Sequence, residues 1–195
     1  MIKTFLIISL ASFLFAACCT HTVTNEKSHI IPKNIQMKAD EFVISKTGKS
    51  FFDKNIDPDY QKTTKTIDRY LLVYNFSIPD KQIDAVIKFS IDTLGNILER
   101  NDVMGIPECI ANPENCSFIS KEEAIKIATN SGLEKGVKDW DIKFTWDPSL
   151  KKYLWDITST IRETKGENFQ RASGKTLLID PNNREIIKTN QWQIN

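Results

Sequence analysis

The amino-acid sequence predicts an α+β protein in which a helix packs on an antiparallel sheet, with two such units in tandem. Residues 120–132 repeat apolar side chains at helical spacing, and residues 140–157 alternate apolar and polar side chains around a turn. In the first half, the apolar run Tyr70–Ile78 is typical of a buried strand. A capped helix followed by successive hairpins is typical of the α+β class.

The amino terminus has the pattern of a signal peptide. One charge, Lys3, is followed by an uncharged apolar run from Phe5 to Phe15. A stable membrane-spanning helix needs about 20 apolar residues, so this run is too short to remain as a transmembrane anchor. Residues 1–17 are therefore expected to be removed after export.

The end of this run, Phe15-Ala16-Ala17-Cys18, resembles the lipobox of bacterial lipoproteins. Phe15 replaces the usual leucine but keeps its apolar bulk. The resemblance implies that Cys18 receives a diacylglycerol group and becomes the first residue of the processed chain. The alternative is an ordinary secretory signal followed by two incidental cysteines. Two or three acyl chains anchor a protein durably, so the membrane is the expected partner of Cys18.

The lipobox implies a position in the cell envelope. The residue after Cys18 is Cys19 and not an acidic retention signal, which favours the outer membrane in a cell that has one. Otherwise we expect the outer face of the cytoplasmic membrane. Residues 18–34 are polar and aperiodic, which predicts a flexible tether, and both histidines of the chain, His21 and His29, lie in it.

The charge balance argues against a nucleic-acid partner. Lys3 is the only charged residue of the leader, so the remaining chain carries 25 acidic side chains and an equal number of basic ones. Cys109 and Cys116 remain after the two cysteines of the lipidation site. In an oxidising compartment they predict a disulfide that closes the connector 106–119. A redox pair or a metal site is the alternative, but the spacing is not Cys-x-x-Cys and no histidine is nearby.

The amino-terminal unit is expected to span residues 35–105. A helix is predicted from Ala39 to about Thr47, ended by Gly48. The expected strands and turns follow in the order Tyr70–Ile78, Pro79–Gln82, Ala85–Asp92 and a short return through Thr93–Asn96 into Ile97.

The second unit is expected to span residues 120–195. Ser120 and Glu123 form a capping-box pattern at the start of its helix, and Gly132 ends the helix. Two alternating strands follow around Asp147-Pro148, and a polar loop is expected from Arg162 to Gly174, before a final hairpin. The four strands and the helix predict an α+β unit.

The helix Ser120–Ala128, the tryptophan-bearing strands and the hairpin from Leu178-Ile179-Asp180 to Arg184–Ile187 together resemble a PepSY domain over residues 118–195. That family occurs in peptidase propeptides and in exported or anchored proteins. The resemblance implies binding or inhibition and not catalysis. This chain has Arg184 where the family has glycine, so Asn182 or Asn183 is expected to take the left-handed turn conformation.

The two halves share a local pattern. Ile91–Leu98 and Ile179–Ile187 both place an Ile-Asp pair before a turn and apolar residues after it, and Tyr70-Leu71 matches Tyr153-Leu154. One interpretation is an internal duplication of a helix-plus-sheet unit. The other is two unrelated hairpins with common turn chemistry.

The sequence predicts no enzyme, cofactor or metal site. It contains no Gly-x-Ser-x-Gly elbow, and helix capping explains the adjacent Glu122 and Glu123. Trp140, Trp146 and Trp155 predict core packing, with a peptide or glycan platform as the alternative. We expect a lipid-anchored protein that binds or inhibits a peptidase or another envelope protein. The alternatives are a structural envelope lipoprotein and an unrecognised hydrolase.

Overall fold

The computed structural model describes residues 31–98, 103–166 and 170–194. The predicted signal peptide, the lipidation site Cys18 and the predicted tether up to residue 30 lie outside these ranges. Within them, no helix combines the length and the apolar character that crossing a membrane requires. The mixed α+β class is confirmed by three helices and two antiparallel sheets.

The first helix, α1, spans Lys33–Thr47 and begins earlier than predicted. Lys33 and Asn34, which the sequence assigned to the tether, are therefore helical. The start was missed because Pro32 precedes the helix without a side-chain cap, whereas Ile35 is anchored in the core with 1% of its surface exposed. Gly48 ends α1 as predicted, with a φ of 82°. A second helix, α2, follows at Lys49–Asn55.

The first sheet is built around strand β3, Arg69–Ile78, which pairs with β4, Ile83–Asp92, from Arg69↔Asp92 to Ile78↔Ile83. Two short strands, β1 at Ile56–Pro58 and β2 at Thr64–Lys65, pair with the other edge of β3. All pairs are antiparallel. The predicted hairpin of β3 and β4 is confirmed, with Gln82 in the left-handed conformation at its turn.

The return after β4 is shorter than predicted. Ile97 forms only an isolated bridge with Ile91, and a second isolated bridge joins Met104 to Lys88. These two bridges lie along the outer edge of β4, where a further strand would run. The edge of β4 is thus partly covered by the chain that leads to the connector.

The second half follows the predicted order. Helix α3 spans Lys121–Asn130, and its capping box is present because Glu123 N donates to Ser120 Oγ at 3.2 Å while Ser120 N donates to Glu123 Oε2 at 3.1 Å. The second sheet has the strand order β5-β6-β7-β8. Its strands are β5 at Asp141–Asp147, β6 at Lys152–Lys165, β7 at Gln170–Ile179 and β8 at Ile186–Ile194.

Two expectations for this half are wrong. The polar segment from Arg162 to Gly174 is a two-stranded ribbon, since β6 continues to Lys165 and β7 begins at Gln170. Both faces of the ribbon are largely polar, so the alternation that marks a half-buried strand is missing. In the final turn, Arg184 itself has a positive φ of 67°, and neither Asn182 nor Asn183 does. Its side chain reaches Glu123 at 3.2 Å.

A single hydrophobic core joins the two halves. Phe76 of β3 contacts Tyr153 of β6 with ring centroids 5.5 Å apart, and Phe144 of β5 stacks on Tyr153 at 4.7 Å. Trp155 has 1% of its surface exposed and donates from Nε1 to Ile119 O at 3.3 Å. Core packing is therefore confirmed for Trp155.

Replacing Phe76 by alanine is expected to lower the free energy of unfolding by about 3–5 kcal/mol, because the ring is fully buried between the two sheets. Urea denaturation followed by tryptophan fluorescence measures the change. The control is Ile67→Ala, whose side chain is 100% exposed, with an expected effect below about 0.5 kcal/mol. Equal effects of the two substitutions would contradict the shared core.

Candidate functional site

A groove of about 550 Å³ lies where strand β4 of the first sheet meets strand β5 of the second. Its apolar lining consists of Phe76, Ala85, Val86, Met104, Phe144, Trp146 and Tyr153. Its polar lining consists of Asn75, Ser77, Asp84, Lys88 and Thr145. The groove therefore draws on both units and on the chain that enters the connector.

Strand alternation brings Val86 to the groove. Ile83, Ile87 and Phe89 are fully buried in the core, so the residues between them point to the opposite face of β4. Val86 is 39% exposed there, and Met104 beside it is 43% exposed. Large apolar side chains exposed together in a concave site indicate a binding surface.

On the other side of the groove, Trp146 lies opposite Tyr153 in the β5–β6 register, with ring centroids 5.1 Å apart. Phe144 stacks on the same Tyr153 ring. Each ring is fixed by its aromatic neighbour. The wall of the groove is thus rigid, which lowers the entropy lost on binding.

Tyr153 joins the second sheet to the first unit at the floor of the groove. Its hydroxyl donates to Gly105 O at 2.8 Å and lies 3.4 Å from Val86 O. Burial raises the pKa of the Tyr153 phenol, so the group stays protonated and keeps donating. Gly105 has a φ of 77°, and a Cβ atom there would lie 2.5 Å from Val86 O, so only glycine fits this close approach.

The rim of the groove carries opposite charges. Ser77 Oγ donates to Asp84 Oδ1 at 2.8 Å, and Lys88 stands on the same face of β4. Both charged side chains are exposed, which leaves them available to a ligand. The site therefore combines an apolar floor with one anionic and one cationic group, an arrangement suited to a polypeptide segment.

The connector between the units is closed by a disulfide. Cys109 and Cys116 are bonded, with Cα atoms 5.4 Å apart. Ile110 N donates to Lys46 O at 3.0 Å, which holds the loop to the end of α1. Ile119 N donates to Pro181 O at 2.7 Å, which holds the following residues to the last turn. The connector thus contacts both units.

A second cavity, of about 570 Å³, lies between the disulfide loop and the turn at Asp180. The Asp180 side chain is 4% exposed and accepts from Lys152 Nζ at 2.5 Å. This ion pair neutralises the buried Asp180 carboxylate, which gives that side chain a structural role in the wall of the cavity. The groove between the sheets is the stronger candidate site.

The sequence-predicted residues are distributed as follows. Cys18 lies outside the described residues, and Cys109 and Cys116 are joined in the connector. Of the tryptophans, Trp146 lines the groove, whereas Trp140 is half-buried and donates from Nε1 to Glu134 O at 2.9 Å. The described residues contain no group of three or more potential metal ligands.

Sequence reasoning missed Val86 and Met104. Val86 could have been identified, because it is an apolar residue at a position of β4 where the alternation of the strand predicts a polar one. Met104 had no such signal, since its place beside β4 follows from an isolated bridge. Compared with family models, curated proteins and solved structures, the chain matches none.

Replacing both Cys109 and Cys116 by serine is expected to lower the free energy of unfolding by about 2.5 kcal/mol, because the unfolded chain loses a closed loop. Denaturation with and without a dithiol reductant measures it. Reduction should destabilise the native chain by a similar amount and leave the double variant unchanged. Peptide mapping that finds free thiols at both positions in the natively produced protein would contradict the disulfide.

Proposed function

We propose that this chain is a lipid-anchored, non-catalytic protein of a bacterial cell envelope that binds a peptidase or another envelope protein. The observation that carries the proposal is the groove between the two sheets, with its apolar floor and charged rim. The lipobox-like residues ending at Cys18 supply the anchor. A binding module held at a membrane needs both parts.

The proposal includes two PepSY-like units in tandem, and the common order of elements supports it. In the second unit, α3 is followed by β5, β6, β7 and β8 across one sheet. In the first unit, the helices are followed by β1 and β2 on one side of β3, and by β4 and two bridges on the other. The central hairpins β3–β4 and β6–β7 thus occupy equivalent places.

The turns after these hairpins are also alike. Asp92 accepts hydrogen bonds from the backbone of Leu94 and Asn96, and Asp180 accepts one from the backbone of Asn182. Tyr70 stands opposite Ile91, one residue before the first turn, and Trp155 stands opposite Ile179, one residue before the second. A tandem alignment therefore matches Tyr70 with Trp155, and not with Tyr153 as the sequence suggested.

The chemistry of the groove favours an extended polypeptide as the ligand. An apolar side chain of the ligand fits between Val86, Met104 and Trp146, where it removes exposed apolar surface from water. Asp84 and Lys88 then pair with polar or charged groups on either side of it. Because this site is exposed and partly apolar, a dedicated binding role is favoured over a purely structural one.

The anchor can be tested by labelling cells with radioactive palmitate. The native chain and its Cys19→Ser variant are expected to carry the label, because the lipid is attached to Cys18. The Cys18→Ser variant is expected to lose the label and to leave the membrane fraction. Undiminished labelling of Cys18→Ser would overturn the anchor and leave the groove untouched.

The groove can be tested by capture from envelope extract with the full chain in mild detergent. Val86→Lys is expected to weaken binding of a saturable partner at least about tenfold, since it places a charge on the apolar floor. Ile67→Lys is the matched control, because Ile67 is fully exposed and does not line the groove. Equal capture by both variants, or no saturable partner, would contradict the proposal.

A further inference from the structure

The edges of the two sheets are protected to very different degrees. Natural proteins protect exposed edge strands by keeping them short, by covering them or by placing charges on them, because unpaired backbone groups recruit further strands. In the first sheet, β1 and β2 are three and two residues long. The outer edge of β4 is partly covered, since Lys88 N donates to Met104 O at 2.9 Å and Leu98 N donates to Ser90 O at 2.9 Å.

The β5 edge of the second sheet is protected by charge. Asp141, Lys143 and Asp147 are the first, third and seventh of its seven residues, and Asp141 and Lys143 form an ion pair. Before β5 begins, Val137 N donates to Thr160 O at 2.8 Å, so the chain also covers the edge of β6 there. A further strand is therefore disfavoured on this side.

Within the described residues, strand β8 at the opposite edge is neither short nor covered by another strand, and it carries one charged residue, Lys188. It is nine residues long, and in the described parts of the chain β7 is its only neighbouring strand. Its segment Thr189–Ile194 contains no charge, proline or glycine. Isoleucines are exposed near both ends, with Ile186 at 42% and Ile194 at 51%. These are the properties of an edge that accepts another strand.

We propose that β8 pairs with β8 of a second copy of this chain, in an antiparallel arrangement with the two-fold axis at Asn190. The second sheets of the two copies then form one continuous eight-stranded sheet. A second copy is the favoured partner for this edge, because β8 is complementary to itself in that register. The pairing is isologous, as the interfaces of most homodimers are.

The register follows from the positions of the side chains. With Asn190 on the axis, Ile186 stands opposite Ile194 of the other copy, so that the exposed isoleucines meet. Lys188, the only charged residue of β8, stands opposite Trp192 and not opposite another lysine. The two Lys188 side chains are thereby kept apart, and each ammonium group faces the Trp192 ring of the other copy.

Site-directed cross-linking in membranes that contain the full chain tests this pairing. With Asn190→Cys, the two new thiols lie on the axis, with Cα atoms about 5 Å apart, within the range of a disulfide. We expect a covalent dimer on mild oxidation. Mass spectrometry of the unreduced digest should show a peptide pair linked at position 190, which separates this link from any formed by the native cysteines.

Lys188→Cys is the matched control, on the same strand and two residues away. In the proposed register the two copies of position 188 are about 13 Å apart, too far for a disulfide. The pairing is overturned if position 190 yields no self-linked peptide, if it links to a different protein, or if position 188 links as efficiently. Unchanged circular dichroism of both variants shows that the fold is intact.

Discussion

The aromatic contact between the two sheets is the constraint on which the rest of the structure depends. Phe76 of β3 contacts Tyr153 of β6, and Phe144 and Phe118 pack against both rings and against each other. Neither sheet completes its core without the other, because these rings belong to both. Phe76, Phe144 and Tyr153 also line the groove, so packing and the candidate site have one origin.

Local signals in the sequence were sufficient for helix α3, strand β5 and the first part of β6. Helix α3 was predictable from Ser120 and Glu123, since the capping box is a local hydrogen-bond pattern with a fixed spacing. Strands β5 and the first part of β6 were predictable because one face is buried and the other is polar. In each case, the residues that decide the structure are neighbours in the chain.

Features that depend on distant contacts were not predictable. The start of α1 is fixed by the burial of Ile35, and the ribbon at the end of β6 is held by cross-strand pairing rather than by an apolar face. The positive φ of Arg184 arises where the side chain also reaches Glu123 on α3. The groove could not be predicted either, because Val86, Met104 and Trp146 come from three separate segments.

The composite construction of the groove has a thermodynamic consequence. Its two walls belong to different sheets, and the Tyr153 hydroxyl of β6 joins them by its contacts with Gly105 O and Val86 O of the first unit. Any rotation of one sheet against the other changes the width of the groove. Ligand binding in the groove is therefore coupled to the angle between the sheets. A ligand that binds more tightly at one width of the groove stabilises the corresponding angle by the difference between its binding free energies at the two widths. Tyr153 is the residue at which the two walls are joined.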